Sequence, residues 1–350
     1  MSSGGPAVVT GSGHRRGGPW ATVLLLLLVI AVLVIPALLA DWLRVPDPAA
    51  SVGLAGLSAM LATYTLGWRL GLAVTAVLAL GVPLTSLASG NAVGACLVMA
   101  LVGIAVGLSS LRDWQRSLML VPITLGFVVT APLPASELTG ADLAALGALT
   151  GVSALAAVGL VRLLPTGQHR PGDGTISRLR ALGFTVMLAL AATLTTAIAV
   201  AGQWGHAGGW LIMTPFIVLQ PDLHSALHKS TKRAFGTMVG FVIAFVIALV
   251  VSHGWVVYAL GIVFAALAVE AVRRHWDYWA YAAALTVAIV LIEGAGTSIT
   301  QTSVLRLAAT ILGVLICLGI MALLVPIYER AERHSRAEET TGSTAEVPEP

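Results

Sequence analysis

The residues best suited to chemistry lie between Trp210 and Gly240. The stretch opens with a short apolar segment, Gly208 to Gln220, that holds Thr214 beside Pro215. A proline inside a helix removes one backbone donor and crowds the preceding turn, so a bend is expected there. Pro221 stops the segment, and Asp222 stands where the N-cap of the next helix belongs. A carboxylate at such a break has two readings, a structural cap or a proton-coupling group. The basic cluster from Lys229 to Arg233 follows. Its charges serve either as an anchor to anionic lipid or as a vestibule that gathers an anionic substrate. Gly236 and Gly240 then share one helix face, where small residues let another helix approach closely. Far along the chain, Arg306 begins the last apolar run. It either snorkels to a membrane interface or offers a fixed positive charge to an anion on a translocation route.

Other candidates carry less chemistry. His224 and His228 have the i, i+4 spacing of a zinc-binding pair. No third ligand accompanies them, so they read as a solvated face and no metal is expected. Cys96 and Cys317 sit inside apolar runs and read as buried, reduced thiols. No Walker motif, nucleophile–base pair or set of redox ligands is visible. The chain therefore reads as neither an ATP-driven pump nor an enzyme, and no cofactor is expected.

The elements that must position these residues follow from composition. Of 350 residues, 57% are apolar and 10% charged, against about a quarter charged in a soluble domain. Mean hydropathy is +0.93. Such a chain has too little polar surface to cover a soluble globule. A soluble enzyme, a nucleic-acid binder and a disordered protein are excluded. The basic residues are scattered rather than patched, so no polyanionic partner is implied.

A membrane helix needs about 20 apolar residues. Runs of that kind fall at roughly 20–40, 51–68, 70–88, 92–110, 117–134 and 143–164. They continue at 180–202, 208–220, 234–252, 255–272, 278–295 and 304–327. The fold class expected is all-α, a polytopic bundle of about twelve transmembrane helices. The run at 208–220 is short and reads either as a full span that starts earlier or as a half-helix. The first run exceeds the usual signal h-region, so an uncleaved helix is expected.

With alternating spans and a cytoplasmic N-terminus, the cytoplasmic side receives all of the 19 Lys and Arg except Arg44 and Arg306. A wrong count of spans would mix the two sets, so the split argues for a multi-pass plasma or inner membrane protein with both termini in the cytoplasm. The two halves also resemble each other. Gly151-Val152 leading to Pro165 matches Gly313-Val314 leading to Pro326, and Arg69 with its glycine matches Arg233-Ala-Phe-Gly236. An even number of spans per half makes this a parallel repeat about an axis along the membrane normal. The organisation expected is a disordered N-terminus at 1–18, a first six-helix repeat at 19–165 and a linker at 166–178. A second six-helix repeat at 179–328 and a disordered tail at 329–350 complete it.

The second half resembles the fusaric acid resistance-type (FUSC) family of integral membrane transporters, which includes aromatic acid exporters. The motifs that carry the resemblance are Trp210, Thr214, Leu219-Gln220-Pro221 and Arg233-Ala-Phe-Gly236-Thr237-Met-Val-Gly240. Tyr281 to Thr286, Arg306, Gly313 and Pro326 extend it, over about residues 178–328. Larger family members carry a long soluble cytoplasmic domain, and this chain's linker is too short for one. The resemblance implies a transporter of small organic anions, with Thr214, Gln220, Pro221, Asp222, Arg233, Thr237, Thr286 and Arg306 on the substrate route. Gly236, Gly240 and Gly313 are expected at helix contacts. The partners expected are the lipid bilayer and a small organic anion, with a homo-oligomer left open. The alternative is a non-transporting scaffold or assembly subunit of a cell-envelope system. A transporter should line a polar cavity with Thr214, Gln220, Thr237 and Thr286. A scaffold should turn those hydroxyls onto its own backbone carbonyls.

Overall fold

Apolar runs interrupted by glycine, proline and short polar breaks fold as helices, and the computed structural model contains no strand among its described residues. Those residues are 27, 31–32, 35–36, 38–39, 42, 49–130, 139–163, 176–221, 223–251, 253–274, 276–294 and 299–343. Most of the expected first run, the N-terminal segment 1–18 and Asp222 lie outside them.

The helices are α1 (Ala49–Leu66), α2 (Trp68–Ser89), α3 (Ala92–Ser109), the single turn α4 (Gln115–Leu118) and α5 (Leu120–Val129). Then come α6 (Gly140–Leu163), α7 (Arg178–Ala201), α8 (His206–Val218) and α9 (Leu223–Val250). The last three are α10 (Gly254–Arg273), α11 (Tyr278–Gly294) and α12 (Ile299–Ser343). Local signals set several ends. Asn91 caps α3 by accepting from the Val93 amide at 2.9 Å, and Ser177 caps α7 by accepting from Arg180. Gly67, at φ +97°, makes the one-residue corner between α1 and α2, a conformation that glycine adopts without strain.

Among the described residues, five helical stretches are long and apolar enough to cross a membrane: Trp68–Ser89, Ala92–Arg112, Gly140–Arg162, Arg178–Ala201 and Val304–Tyr328. The other expected spans include the shorter apolar helices Ser51–Leu66, Gln115–Val129, His206–Val218 and Trp255–Ala265, and most of the run at 20–40 lies outside the described residues. The run expected at 117–134 is broken at Met119 and ends at Val129.

Helix α12 also departs from expectation at its far end. It passes through Pro326 and continues to Ser343. Residues 329–343, read above as part of a disordered tail, are helical. Their composition explains it: Glu329 with Arg333, and Glu332 with Arg336, place opposite charges at i, i+4 spacing.

The helices pack in a network that crosses the middle of the chain. α1 lies on α2, α5 and α6, and α2 on α5 and α6. The most extensive contact joins α3 to α7. In the second half α8 and α9 lie on α12, and α11 lies on α9 and α10. One large apolar cluster, including Leu78, Met99, Leu188, Leu211 and Met321, runs through both halves. A smaller one, with Ala244, Val257, Val287 and Leu291, joins α9, α10 and α11. Buried hydroxyls are mostly turned onto the preceding helical turn. Thr63, Thr75, Thr185 and Thr196 all donate to the carbonyl four residues earlier. Leu80, Leu101, Leu249 and Leu323 stand exposed on the outer faces, as lipid-facing residues do.

Candidate functional site

Four helices of the second half, α8, α9, α11 and α12, enclose a small cavity. Its wall consists of Trp210 from α8, Arg233 and Thr237 from α9, Ala282, Leu285 and Thr286 from α11, and Arg306 and Thr310 from α12. The volume is about 20 Å³, room for one or two waters. No Asp or Glu belongs to this wall among the described residues.

The backbone geometry that brings the arginines inward depends on glycine. A Cβ at Gly236 would stand 2.3 Å from the Trp279 carbonyl oxygen, and one at Gly240 would stand 2.5 Å from that of Ala283. Helix α9 therefore rests directly on the backbone of α11. Gly313 does the same service between α12 and α8, where a Cβ would meet the Thr214 Cβ at 2.7 Å. These contacts hold α9, α11 and α12 at a spacing that leaves room for long side chains at the next face over.

Arg306 is 6% exposed and Arg233 is 5% exposed. The Arg306 guanidinium lies over the Trp210 ring, 3.6 Å from its centroid. A cation on the face of an indole gains from the ring quadrupole. Trp210 is held in turn by Phe127, edge to face at 5.3 Å. The Arg233 Nη1 donates to the Tyr278 hydroxyl over a long 3.5 Å. Its Nε, and the Nε1 of Trp210, meet no acceptor among the described residues. The neighbouring Lys232 is different. It pairs with Asp277 at 2.7 Å, with 30% and 64% of the two side chains exposed.

Of the route residues expected from sequence, the cavity gathers Arg233, Thr237, Thr286 and Arg306. It does not gather Thr214, Gln220 or Pro221. Thr214 is fully buried against Gly313 and donates to the Trp210 carbonyl at 2.8 Å. Gln220 is half-buried and donates to its own neighbour, the Leu219 carbonyl, at 2.7 Å. Helix α8 stops at Val218 with Leu219 extended, as the residues ahead of a proline tend to be. Thr286 lines the cavity, yet its hydroxyl donates to the Ala282 carbonyl at 2.8 Å. The two outcomes set as discriminators are therefore mixed. Cys317 is buried and Cys96 half-buried, both as free thiols.

Sequence reasoning missed Thr310 and gave Trp210 no place on the route. A signal was available. Arg233 with Thr237, Ala282 with Thr286, and Arg306 with Thr310 are all i, i+4 pairs, each placing two wall residues on one helix face.

The fold and site define a class, an all-helical membrane protein whose second half encloses a cationic cavity. Residues 189–322 match the family model described as fusaric acid resistance protein-like. The resemblance read from the Leu-Gln-Pro and Arg-x-x-Gly-Thr-x-x-Gly residues therefore holds for this segment, and the whole cavity wall lies within it. No curated protein and no solved structure matches the chain.

Proposed function

We propose that the chain is an integral membrane transporter that exports small organic anions, with aromatic acids as the substrate class. One observation carries the reading: two arginines, each more than nine-tenths buried, line one cavity whose wall holds no carboxylate among the described residues. Arginine stays charged in a protein. Within a membrane helix each costs roughly 2.5–3.5 kcal/mol on insertion scales, and such residues mark ion and substrate pathways. An anion that meets both would offset that cost. Trp210 offers an apolar wall beside the charges, which suits an acid with an aromatic body.

The wider architecture proposed is a pair of parallel six-helix repeats with both termini in the cytoplasm of the plasma or inner membrane. The asymmetry of Lys and Arg supports the orientation. Recurrent packing supports the repeat. The pairs α1–α6, α2–α6 and α2–α5 of the first half have counterparts in α8–α12, α9–α12 and α9–α11 of the second.

A second reading keeps a specific observation in its favour. Thr214 and Thr286 turn their hydroxyls onto their own helices, as a packed scaffold would. Efflux of a panel of labelled aromatic acids, from cells with and without the chain, separates the two. The transporter reading expects retention of at least one acid to fall when the chain is present. Identical retention of every acid would leave the scaffold.

A further inference from the structure

We infer that Arg69 and Arg162, at one end of the first half, form a binding site for the phosphate headgroup of an anionic phospholipid. The inference rests on the chain lying in a membrane and not on transport. Trp68 is the first residue of one membrane-length stretch, and Arg162 is the last of another. The helices that carry them, α2 and α6, pack on each other. The one-residue corner at Gly67 sets where α2 begins. The Arg162 guanidinium lies 5.2 Å from the centre of the Trp68 ring, and that of Arg69 lies 5.6 Å from it. Two positive charges from two helices thus share one indole, at the level where a membrane span ends.

Charge and donors call for an anion. Neither arginine forms an ion pair or a hydrogen bond among the described residues. Surface cations of the second half differ: Lys232 is matched by Asp277, and Arg274 by Glu270. Both forks of the first-half pair therefore keep their N–H donors, and the planar guanidinium suits phosphate oxygens two at a time. The surface below the charges selects a lipid over a free phosphate. Leu72, Val77 and Leu80 share the face of Arg69 on α2, and Val152 and Leu155 share that of Arg162 on α6. All five are exposed, as a surface for acyl chains must be. At Gly159, three residues before Arg162, an added Cβ would meet nothing within 4 Å. Tyr64 and Trp68 are exposed beside the charges, where amphipathic rings settle at headgroup level. A headgroup with two phosphates, as in cardiolipin, matches two arginines, and basic sites between membrane helices hold such lipids.

The test uses the full-length protein, purified in detergent. Cardiolipin, phosphatidylcholine with the same acyl chains, and inorganic phosphate are titrated separately. Native mass spectrometry counts the bound lipid, and the melting temperature is recorded. Cardiolipin should occupy one tight site and stabilise the protein saturably, and phosphatidylcholine should do neither. Both arginines are exposed, so their substitution leaves the packing intact. Arg69→Gln and Arg162→Gln should each weaken cardiolipin binding about tenfold, the usual scale for a hydrogen bond between charged groups. The double variant should retain no more cardiolipin than phosphatidylcholine. Arg112→Gln removes the single arginine beside Trp114 and should leave cardiolipin binding unchanged. Equal retention of the two lipids by the unaltered protein would mean an apolar annulus alone and would overturn the inference. A saturable response to inorganic phosphate that matches cardiolipin would make this a free-phosphate site and overturn the lipid. Unchanged cardiolipin binding in the folded double variant, or an equal loss in Arg112→Gln, would overturn the assignment to this pair.

Discussion

The seam between α3 and α7 and the cavity among α8, α9, α11 and α12 begin from the same device and end differently. Each uses two glycines four residues apart. In the first, a Cβ at Gly103 would stand 2.9 Å from the Ala189 Cα, and one at Gly107 2.5 Å from the Thr185 Cα. In the second, Gly236 and Gly240 press on α11 as closely. The α3–α7 seam holds no buried charge among the described residues: Thr185 sits in the contact and donates to the Ala181 carbonyl at 2.7 Å, and the Cys96 thiol donates across it to the Thr193 carbonyl at 3.8 Å. At the cavity, arginines flank the glycines and enter a space that they do not fill. Close glycine packing thus joins the halves in one place and in the other brings together the helices that surround a charge. Helix proximity is common to both, and only the side chains on the adjoining face separate a joint from a site.

Removing the charges should have the largest effect. Arg306→Gln and Arg233→Gln should each lower anion efflux more than tenfold while the protein reaches the membrane in normal amount. Arg112→Gln is the matching change outside the cavity, where Arg112 lies 4.9 Å from the Trp114 ring centre on the surface. It should leave efflux unchanged. Equal losses in all three would erase the distinction between the cavity and the other Arg–Trp contacts.

Next come the glycines. Gly107→Leu and Gly240→Leu both force a side chain into a neighbouring backbone, and overpacking of this kind costs about 1–3 kcal/mol or more. Folded protein recovered from membranes should fall for both. Gly240→Leu at wild-type abundance and activity would show that α9 does not rest on α11 as described, and the cavity's frame would go with it.

Much of this was legible in the sequence. Apolar runs mark most of the helices, and the Arg-x-x-Gly-Thr-x-x-Gly residues mark α9. The run at 208–220 announced its own break at Pro221. The site was half legible. Arg306 reads as either an interface or a route residue because one-dimensional position does not tell which face of α12 it occupies. Its place over Trp210 depends on Gly313 seating α12 against α8, a contact between residues almost a hundred positions apart. In the tail, acidic and basic residues suggest solvation, while their i, i+4 spacing suits the helix that runs to Ser343. The Gly103–Gly107 spacing is visible in the sequence, but nothing there tells which helix packs against it.

A smaller effect is expected from the paired hydroxyls of the first half. Ser58 and Thr124 lie 3.1 Å apart in a buried contact between α1 and α5, and Thr124 also donates to the Leu120 carbonyl. Thr124→Val should destabilise by about 1 kcal/mol, read as a lowered melting temperature in detergent, with no change in anion binding. A loss of anion binding would extend the site into the first half.

The smallest effect should come from Asp277. Lys232 and Arg233 are consecutive, and the sequence treated them as one basic cluster. The structure divides them. Lys232 meets Asp277 at the surface, where both side chains keep contact with solvent, while Arg233 turns into the cavity. An exposed pair of this kind contributes about 0–1 kcal/mol, because water screens it and two side chains must be ordered to make it. Asp277→Asn should therefore leave the melting temperature within a degree or two of wild type, and raising the salt concentration should erase even that difference. Efflux should be unchanged as well, since the lost carboxylate faces a lysine that the cavity does not use. If Asp277→Asn lowered efflux as Arg233→Gln does, the ion pair would be part of the route. The boundary between surface anchor and buried site would then have to move outward to include Lys232.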